Sequence, residues 1–189
     1  MKRIAVFCGS SAGTNGVYKE EAVRVGRILA EKKTQLVFGG GKVGLMGILA
    51  DAALDAGGEI IGVIPRFLHV KEVAHDGLTE MVTVETMHER KALIHEMTDG
   101  VIALPGGFGT LDELFEILTW GQLGLHQKPV GVLNVNGYFT HLLKAIDSMV
   151  DEGFLTGINR DMVLVSDNIE ELIDQMDAYT APDLPKWIR

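Results

Sequence analysis

The fold is decided by a strand–turn–helix pattern in the stretch VIALPGGFGTLDE, which occupies residues 101–113. Residues 101–104 are apolar and have the length of a buried strand. The glycines that follow let the backbone approach a ligand closely, and the amphipathic segment from 111 onward is typical of a helix. A strand that leads through a glycine turn into a helix points backbone N–H groups at an anion, so the pattern predicts a phosphate site.

The same alternation of strand and helix extends through the rest of the chain. Apolar runs of strand length lie at Ile4–Cys8, Leu36–Phe38, Ile60–Ile64, Met81–Val84, Val101–Leu104, Val130–Val135 and Met162–Val165. Helical patterns separate most of them, at 18–33, 44–56, 86–98, 111–123, 138–152 and 168–177. Uninterrupted apolar strands between helices predict a doubly wound, Rossmann-like α/β fold, with a mainly parallel sheet of about seven strands covered on both faces. We expect the ligand at the carboxyl ends of the strands, where residues 9–11, 39–41 and 105–107 fall.

Composition limits the classes of protein to which the chain can belong. Its 189 residues predict one domain at 1–180, followed by a C-terminal extension at 181–189. A net charge of −9 argues against binding to nucleic acids or membrane surfaces. The single cysteine, Cys8, excludes an intrachain disulfide and favours a reducing compartment. With no signal-like or membrane-spanning run, we expect a cytoplasmic protein.

The carboxylate of Glu113 is the first candidate catalytic group. The pattern Thr110-Leu111-Asp112-Glu113 fits a capping box with Thr110 as N-cap, which places Glu113 in the first turn of the helix. A carboxylate beside a phosphate site is repulsive, so either it caps the helix or it takes part in chemistry. Glu116, one turn further on, is the reserve candidate.

A second capping box, Thr86-Met87-His88-Glu89, opens the helix that carries Arg90 and Lys91. Two cations in a first turn oppose the helix dipole. They predict an anionic partner, either a carboxylate or a ligand phosphate. The alternative is an arginine that packs its stem on the core and a solvated lysine.

Other patterns carry weaker predictions. Residues 39–44 satisfy G-x-G-x-x-G, but the acid at about the distance that a dinucleotide site requires, Glu59, precedes the next strand instead of ending it, so a dinucleotide site is disfavoured. The loop is either a phosphate-site wall or a tight packing turn. Segment 66–80 is a long irregular connection and a candidate substrate loop. The six histidines lack metal-ligand spacing, so we expect no metal.

These residues together resemble the LOG ("Lonely guy") family of cytokinin riboside 5′-monophosphate phosphoribohydrolases. The family pattern P-G-G-x-G-T-x-x-E is matched in full by residues 105–113, and the upstream Arg-Lys by Arg90 and Lys91. Residues 39–47, 119–124 and 128–131 are also similar to the family.

The resemblance implies hydrolysis of the N-glycosidic bond of a nucleoside 5′-monophosphate, such as isopentenyladenosine monophosphate or AMP, to free base and ribose 5-phosphate. It implies no cofactor, a homodimer, and Arg90 and Glu113 as the catalytic pair. Implied substrate-binding residues are Glu72, Arg90, Lys91, Gly106, Gly107, Phe108, Gly109, Thr110, Leu111, Asp112 and Thr119. Members often carry the label lysine decarboxylase, but we find no sequence context for a pyridoxal-phosphate lysine.

Cleavage of a ribosyl C–N bond develops positive charge on the sugar. The carboxylate of Glu113 is expected either to stabilise this charge or to activate the attacking water. Arg90 stays protonated and therefore cannot be the general acid. The competing prediction is a non-catalytic nucleotide or molybdenum-cofactor carrier or sensor, since similar glycine loops occur in such proteins.

Overall fold

A computed structural model of the chain describes residues 1–69 and 74–182. The strands in these ranges are β1 (Arg3–Phe7), β2 (Gln35–Phe38), β3 (Ile60–Pro65), β4 (Glu80–Val84), β5 (Gly100–Ala103), β6 (Val130–Leu133) and β7 (Val163–Ser166). They form one sheet in the order β4-β3-β2-β1-β5-β6-β7, and every neighbouring pair is parallel. The predicted parallel, Rossmann-like α/β sheet is confirmed.

The helices of the described residues are α1 (Gly16–Glu31), α2 (Gly44–Asp55), α3 (Arg66–His69), α4 (Met87–Met97), α5 (Phe108–Gln122), α6 (Thr140–Asp151), α7 (Gly157–Arg160) and α8 (Ile169–Ala178). The six predicted helices all occur. The helices α3 and α7 were not predicted, because four residues are too few to show a helical period. Segment 66–80 therefore begins as a short helix rather than as an irregular loop.

The inner strands of the sheet are buried on both faces, as their apolar sequences predict, whereas the residues of the edge strand β4 are partly or fully exposed. Along β1, Ile4 and Val6 face a core layer built with α1, α2 and α8. Ala5 and Phe7 face the opposite layer, built with α4, α5 and residues near the start of α6. Because strand side chains alternate, both faces need apolar residues, and this requirement produces the unbroken apolar runs.

Local backbone chemistry sets the helix boundaries. The side chain of Asn15 accepts a hydrogen bond from Val17 N at 3.1 Å and starts α1 two residues before the predicted position. Helix α6 starts two residues later than predicted, because Asn136 (φ 51°) and Gly137 (φ 71°) both adopt the left-handed conformation in a 3-10 turn.

At the C-terminus, the described chain ends at residue 182, so the predicted boundary at 180 and the extension 181–189 stay predictions. Each of the described helices is too short or too polar to cross a membrane.

Candidate active site

The loop after β5 and the start of α5 form the centre of the site. Helix α5 begins at Phe108 with Gly107 as N-cap, so the prediction that Thr110 is the N-cap is wrong. Thr110 is buried in the first turn, packed so closely under Gly106 that a Cβ on Gly106 would lie 2.1 Å from its Oγ1. This packing requires the helix to begin before Thr110, and it moves Glu113 from the first turn into the second.

The early helix start leaves backbone donors available to a ligand. The first N–H groups of a helix have no acceptor within the helix, and Gly107 has no side chain that could cap them. A Cβ built on Gly107 or Gly109 meets no atom within 4 Å, and neither residue has a positive φ. Nothing in the packing therefore requires glycine at these two positions. The open space over the donors fits a bound anion instead.

A cleft of about 290 Å³ lies beside this loop, between the carboxyl ends of β1 and β5. It is lined by Gly9, Ser10, Ser11, Ala12, Gly13, Tyr18, Leu45, Pro105, Gly106, Gly107 and Tyr138. The sheet order reverses between these two strands, and ligands of doubly wound proteins bind at such a switch point. We call this space the β1–β5 cleft.

The predicted set of site residues did not include the two tyrosines of the cleft. Their rings meet edge to face, with centroids 5.7 Å apart. Each tyrosine lies a few residues beyond a loop that follows the carboxyl end of a strand, Tyr18 after β1 and Tyr138 after β6. That placement is the sequence feature that could have revealed them.

Glu113 borders a second, very small cavity of about 10 Å³. The cavity is lined by Phe7, Lys91, His95, Val101, Glu113, Glu116, Ile117 and Trp120. Burial raises the pKa of Glu113 to about 7, against the opposing attraction of Arg90. At neutral pH the carboxyl group is therefore divided about equally between its charged and neutral forms, a property typical of groups that exchange protons in catalysis.

Arg90 crosses from α4 to the end of β2. Its guanidinium is buried, and Nη2 donates a hydrogen bond to the carbonyl oxygen of Gly39 at 3.2 Å. The absence of a side chain at Gly39 makes this contact possible, since a Cβ there would lie 1.8 Å from Nη2. Nε of Arg90 is buried and has no hydrogen-bond partner among the described residues. A buried guanidinium with a free donor is suited to an anionic ligand group.

Lys91 forms ion pairs with two carboxylates of α5. Its Nζ lies 3.2 Å from Asp112 Oδ2 and 2.9 Å from Glu116 Oε1. Burial lowers the pKa of Lys91, but the hydrogen bonds to Glu116 and Asp112 outweigh it and the net shift is upward. The reserve candidate Glu116 is therefore held in an ion pair, whereas Glu113 has no such partner among the described residues.

The remaining predicted residues are distributed as follows. Gly106 and Gly107 line the β1–β5 cleft, and Phe108, almost fully exposed, follows them at the helix start. Leu111 is partly buried against the core. Thr119 lies six residues beyond Glu113, about 9 Å along the helix, in a separate groove between α5 and α6. Glu72 lies outside the described residues.

Two other patterns also find their explanation. Burial and, secondarily, the charge of Glu113 raise the pKa of the Cys8 thiol far above its ordinary value, so Cys8 is a buried small residue and not a nucleophile.

In the glycine pattern 39–44, Gly44 (φ 66°) packs directly on the backbone of Ser10, and Leu45 N donates to Gly9 O. These glycines serve close packing and the seat of Arg90. Within residues 1–69 and 74–182, no three His, Cys, Asp or Glu side chains cluster as metal ligands would.

Comparison with known proteins places the chain among relatives of one type. A family model described as "possible lysine decarboxylase" matches residues 46–176. The cytokinin riboside 5′-monophosphate phosphoribohydrolase LOG7 of Arabidopsis thaliana is 47% identical over 178 residues, which cover 94% of this chain and 82% of that protein. LOG2 of the same plant is 44% identical, with 94% and 84% covered.

Solved structures show the same fold at much lower identity. The molybdenum cofactor binding protein of Rippkaea orientalis superposes with a TM-score of 0.71 at 21% identity, covering 94% of this chain and 97% of that one. The molybdenum cofactor carrier protein of Chlamydomonas reinhardtii gives 0.71 at 22%, covering 94% and 98%. At such identities the likeness concerns the fold alone.

The word decarboxylase occurs only in the description of the family model. The curated relatives carry a different name, and they match nearly the whole chain. On the extent of the family-model match and the 44–47% identity to these relatives, the chain belongs to the LOG family.

Proposed function

We propose that the protein hydrolyses the N-glycosidic bond of a nucleoside 5′-monophosphate, with a cytokinin nucleotide or AMP as substrate, to give the free base and ribose 5-phosphate. The relatives at 44–47% identity are named for this reaction on cytokinin riboside 5′-monophosphates. The observation that carries the proposal is the position of Glu113, one helical turn beyond the free N–H donors of α5.

The spacing along α5 matches the substrate. Glu113 follows Gly109 by four residues, which is about 6 Å of helix rise. A 5′-phosphate on the donors at the helix start therefore places the ribose over the following turn, with its anomeric carbon near Glu113. The separation also reduces the repulsion between the phosphate and the carboxylate, because both are anionic.

The reaction breaks the bond between the anomeric carbon and the base nitrogen. The sugar gains positive charge in the transition state, and the ionised carboxylate of Glu113 stabilises that charge or takes a proton from the attacking water. Water supplies the hydroxyl group of ribose 5-phosphate and, overall, the proton of the released base. The ionised form of Glu113 is the active form, so activity should fall as the pH is lowered through about 7.

Arg90 supports this chemistry as a fixed cation. Its charge lowers the pKa of Glu113 and so opposes the effect of burial. Its unpartnered Nε is a donor for a substrate oxygen. Since an arginine does not lose its proton, Arg90 binds and orients rather than transferring protons.

We further propose a cytoplasmic homodimer. The support for the dimer is a groove of about 260 Å³ between α5 and α6, lined in part by Leu118, Met149 and Phe154. The side chain of Phe154 is 85% exposed, and an exposed apolar surface of this kind is suited to a second copy of the chain.

Product analysis tests the proposed reaction. The purified protein is incubated with AMP and, separately, with isopentenyladenosine monophosphate, and the products are separated by chromatography. Free base and ribose 5-phosphate in equal amounts support the proposal, and their relative rates give the base preference. Measurable nucleotide binding without free base would favour the carrier or sensor function.

A further inference from the structure

We propose that Tyr138 is a positioning residue of the phosphate site, whose hydroxyl group fixes the peptide between Gly106 and Gly107 so that the N–H of Gly107 is held ready for the substrate phosphate. The inference rests on the proposed function, which places a nucleoside 5′-monophosphate in this site.

The first observation is a direct hydrogen bond. The hydroxyl of Tyr138 donates to the carbonyl oxygen of Gly106 at 2.6 Å. The two residues are 32 positions apart, and Tyr138 belongs to the loop after β6 while Gly106 belongs to the loop after β5. The bond therefore ties neighbouring strand ends together across the mouth of the site.

The second observation is that the loop after β5 is held from both sides. Gly9 N, at the end of β1, donates to the carbonyl oxygen of Pro105 at 3.0 Å. Tyr138, beyond β6, binds the next carbonyl, that of Gly106. Since β5 lies between β1 and β6 in the sheet, each neighbour fixes one of two consecutive carbonyl groups.

A fixed carbonyl has a fixed N–H on the opposite side. The peptide unit is planar and trans, so the direction of the Gly106 carbonyl determines the direction of the Gly107 N–H. Two successive glycines otherwise allow this unit to rotate through many conformations. Holding it before the substrate arrives removes an entropy cost from binding.

Tyr138 is itself well placed to act as a fixed point. The side chain of Asn134 accepts a hydrogen bond from Phe139 N at 2.7 Å and closes the turn that carries Tyr138. The ring of Tyr138 packs edge to face with the rings of Phe139 and Tyr18, at centroid distances of 5.0 and 5.7 Å. These contacts hold the ring without using its hydroxyl group, so the hydroxyl can be removed by itself.

The test is Tyr138→Phe, which keeps the ring and its contacts and loses the bond to Gly106. Calorimetry measures the binding of ribose 5-phosphate, and steady-state kinetics measures kcat and KM for AMP. We expect ribose 5-phosphate binding to weaken and KM to rise by about 3- to 10-fold, the effect of one lost hydrogen bond. We expect kcat to change by less than about 2-fold, because a phosphate contact that is equal in ground and transition states affects KM alone.

Tyr179→Phe is the matched control, since Tyr179 follows α8 at the amino-terminal edge of the sheet and is remote from the site. Unchanged ribose 5-phosphate binding and KM in Tyr138→Phe would overturn the inference, as would a drop in kcat alone. A lower melting temperature with equal losses in kcat and kcat/KM would also overturn it, because that pattern indicates a merely structural role. If the wild type cleaves no nucleotide, the proposed function fails, while weaker ribose 5-phosphate binding by Tyr138→Phe still supports the positioning role.

Discussion

Replacement of Glu113 by glutamine should make the protein more stable at neutral and alkaline pH while it slows catalysis by at least about 100-fold. Burial raises the pKa of Glu113 from 4.5 to about 7. The folded protein therefore retains a proton that the unfolded chain releases between these two pH values. In this window the free energy of unfolding of the wild type falls as the pH rises, and above pH 7 the loss is complete.

The size of the effect follows from the shift. A difference of about 2.5 pH units at about 1.36 kcal/mol each amounts to about 3 kcal/mol at pH 8. Glutamine has nearly the same shape and no charge, so Glu113→Gln escapes this penalty. For a chain of this length, the gain corresponds to a melting temperature higher by about 6 to 12 °C. At pH 5 most of the difference is gone, and less than about 1 kcal/mol remains.

Denaturant unfolding of both proteins at pH 5 and pH 8 measures the difference directly. Glu20→Gln is the control, because Glu20 is exposed on α1 and its charge is not buried on folding. A Glu113→Gln variant no more stable than the wild type at pH 8 would refute the reasoning. So would a stabilisation of equal size at both pH values, because only a pH-dependent gain reports the buried charge.

Three further changes probe other parts of the site. In Arg90→Met, loss of the nearby cation raises the pKa of Glu113 further, so the acid limb of the pH–rate profile should move to higher pH. An unmoved profile would contradict the effect of the Arg90 charge on Glu113. Gly109→Ala should stabilise α5 by about 0.5–1 kcal/mol in denaturant unfolding. It should also raise KM for AMP at least about 10-fold in steady-state kinetics, because the added methyl group enters the space over the α5 donors. An unchanged KM would contradict the anion site. Phe154→Asp should convert a dimer to a monomer in analytical ultracentrifugation, and a monomeric wild type contradicts the proposed dimer.

The order of strands and helices was predictable because a parallel sheet with both faces buried requires unbroken apolar strands. The residues of β1, β3 and β5 show this directly, since all but Arg3 are buried. The N-terminus of α4 was also predictable, because Thr86 accepts the hydrogen bond from Glu89 N that its capping pattern implies.

The start of α5 was mispredicted because the local pattern at Thr110 competes with tertiary packing. Thr110 fits an N-cap by its sequence, but its side chain packs under Gly106 and the helix starts earlier. Local patterns cannot reveal this, since the burial of Thr110 depends on where the loop meets the end of β1.

The properties of individual site residues depend on contacts between distant parts of the chain. The bond from Tyr138 to Gly106 joins two loops that only the sheet order brings together. The pKa of Glu113 depends on burial, and the position of the Arg90 guanidinium depends on the absence of a side chain at Gly39. The sequence could identify these residues as candidates, but it could not show which groups would be paired.

The most direct test of the central claim compares binding and turnover in the wild type and Glu113→Gln, with AMP as the nucleotide. We expect the phosphate to be bound by the start of α5 and Glu113 to act only in the chemical step. The Kd of the variant for AMP should therefore lie within about 3-fold of the wild-type value, while its rate of base release should be at least about 100-fold lower. Release of base by Glu113→Gln at the wild-type rate would contradict the account, because the carboxylate would then have no part in cleavage of the glycosidic bond.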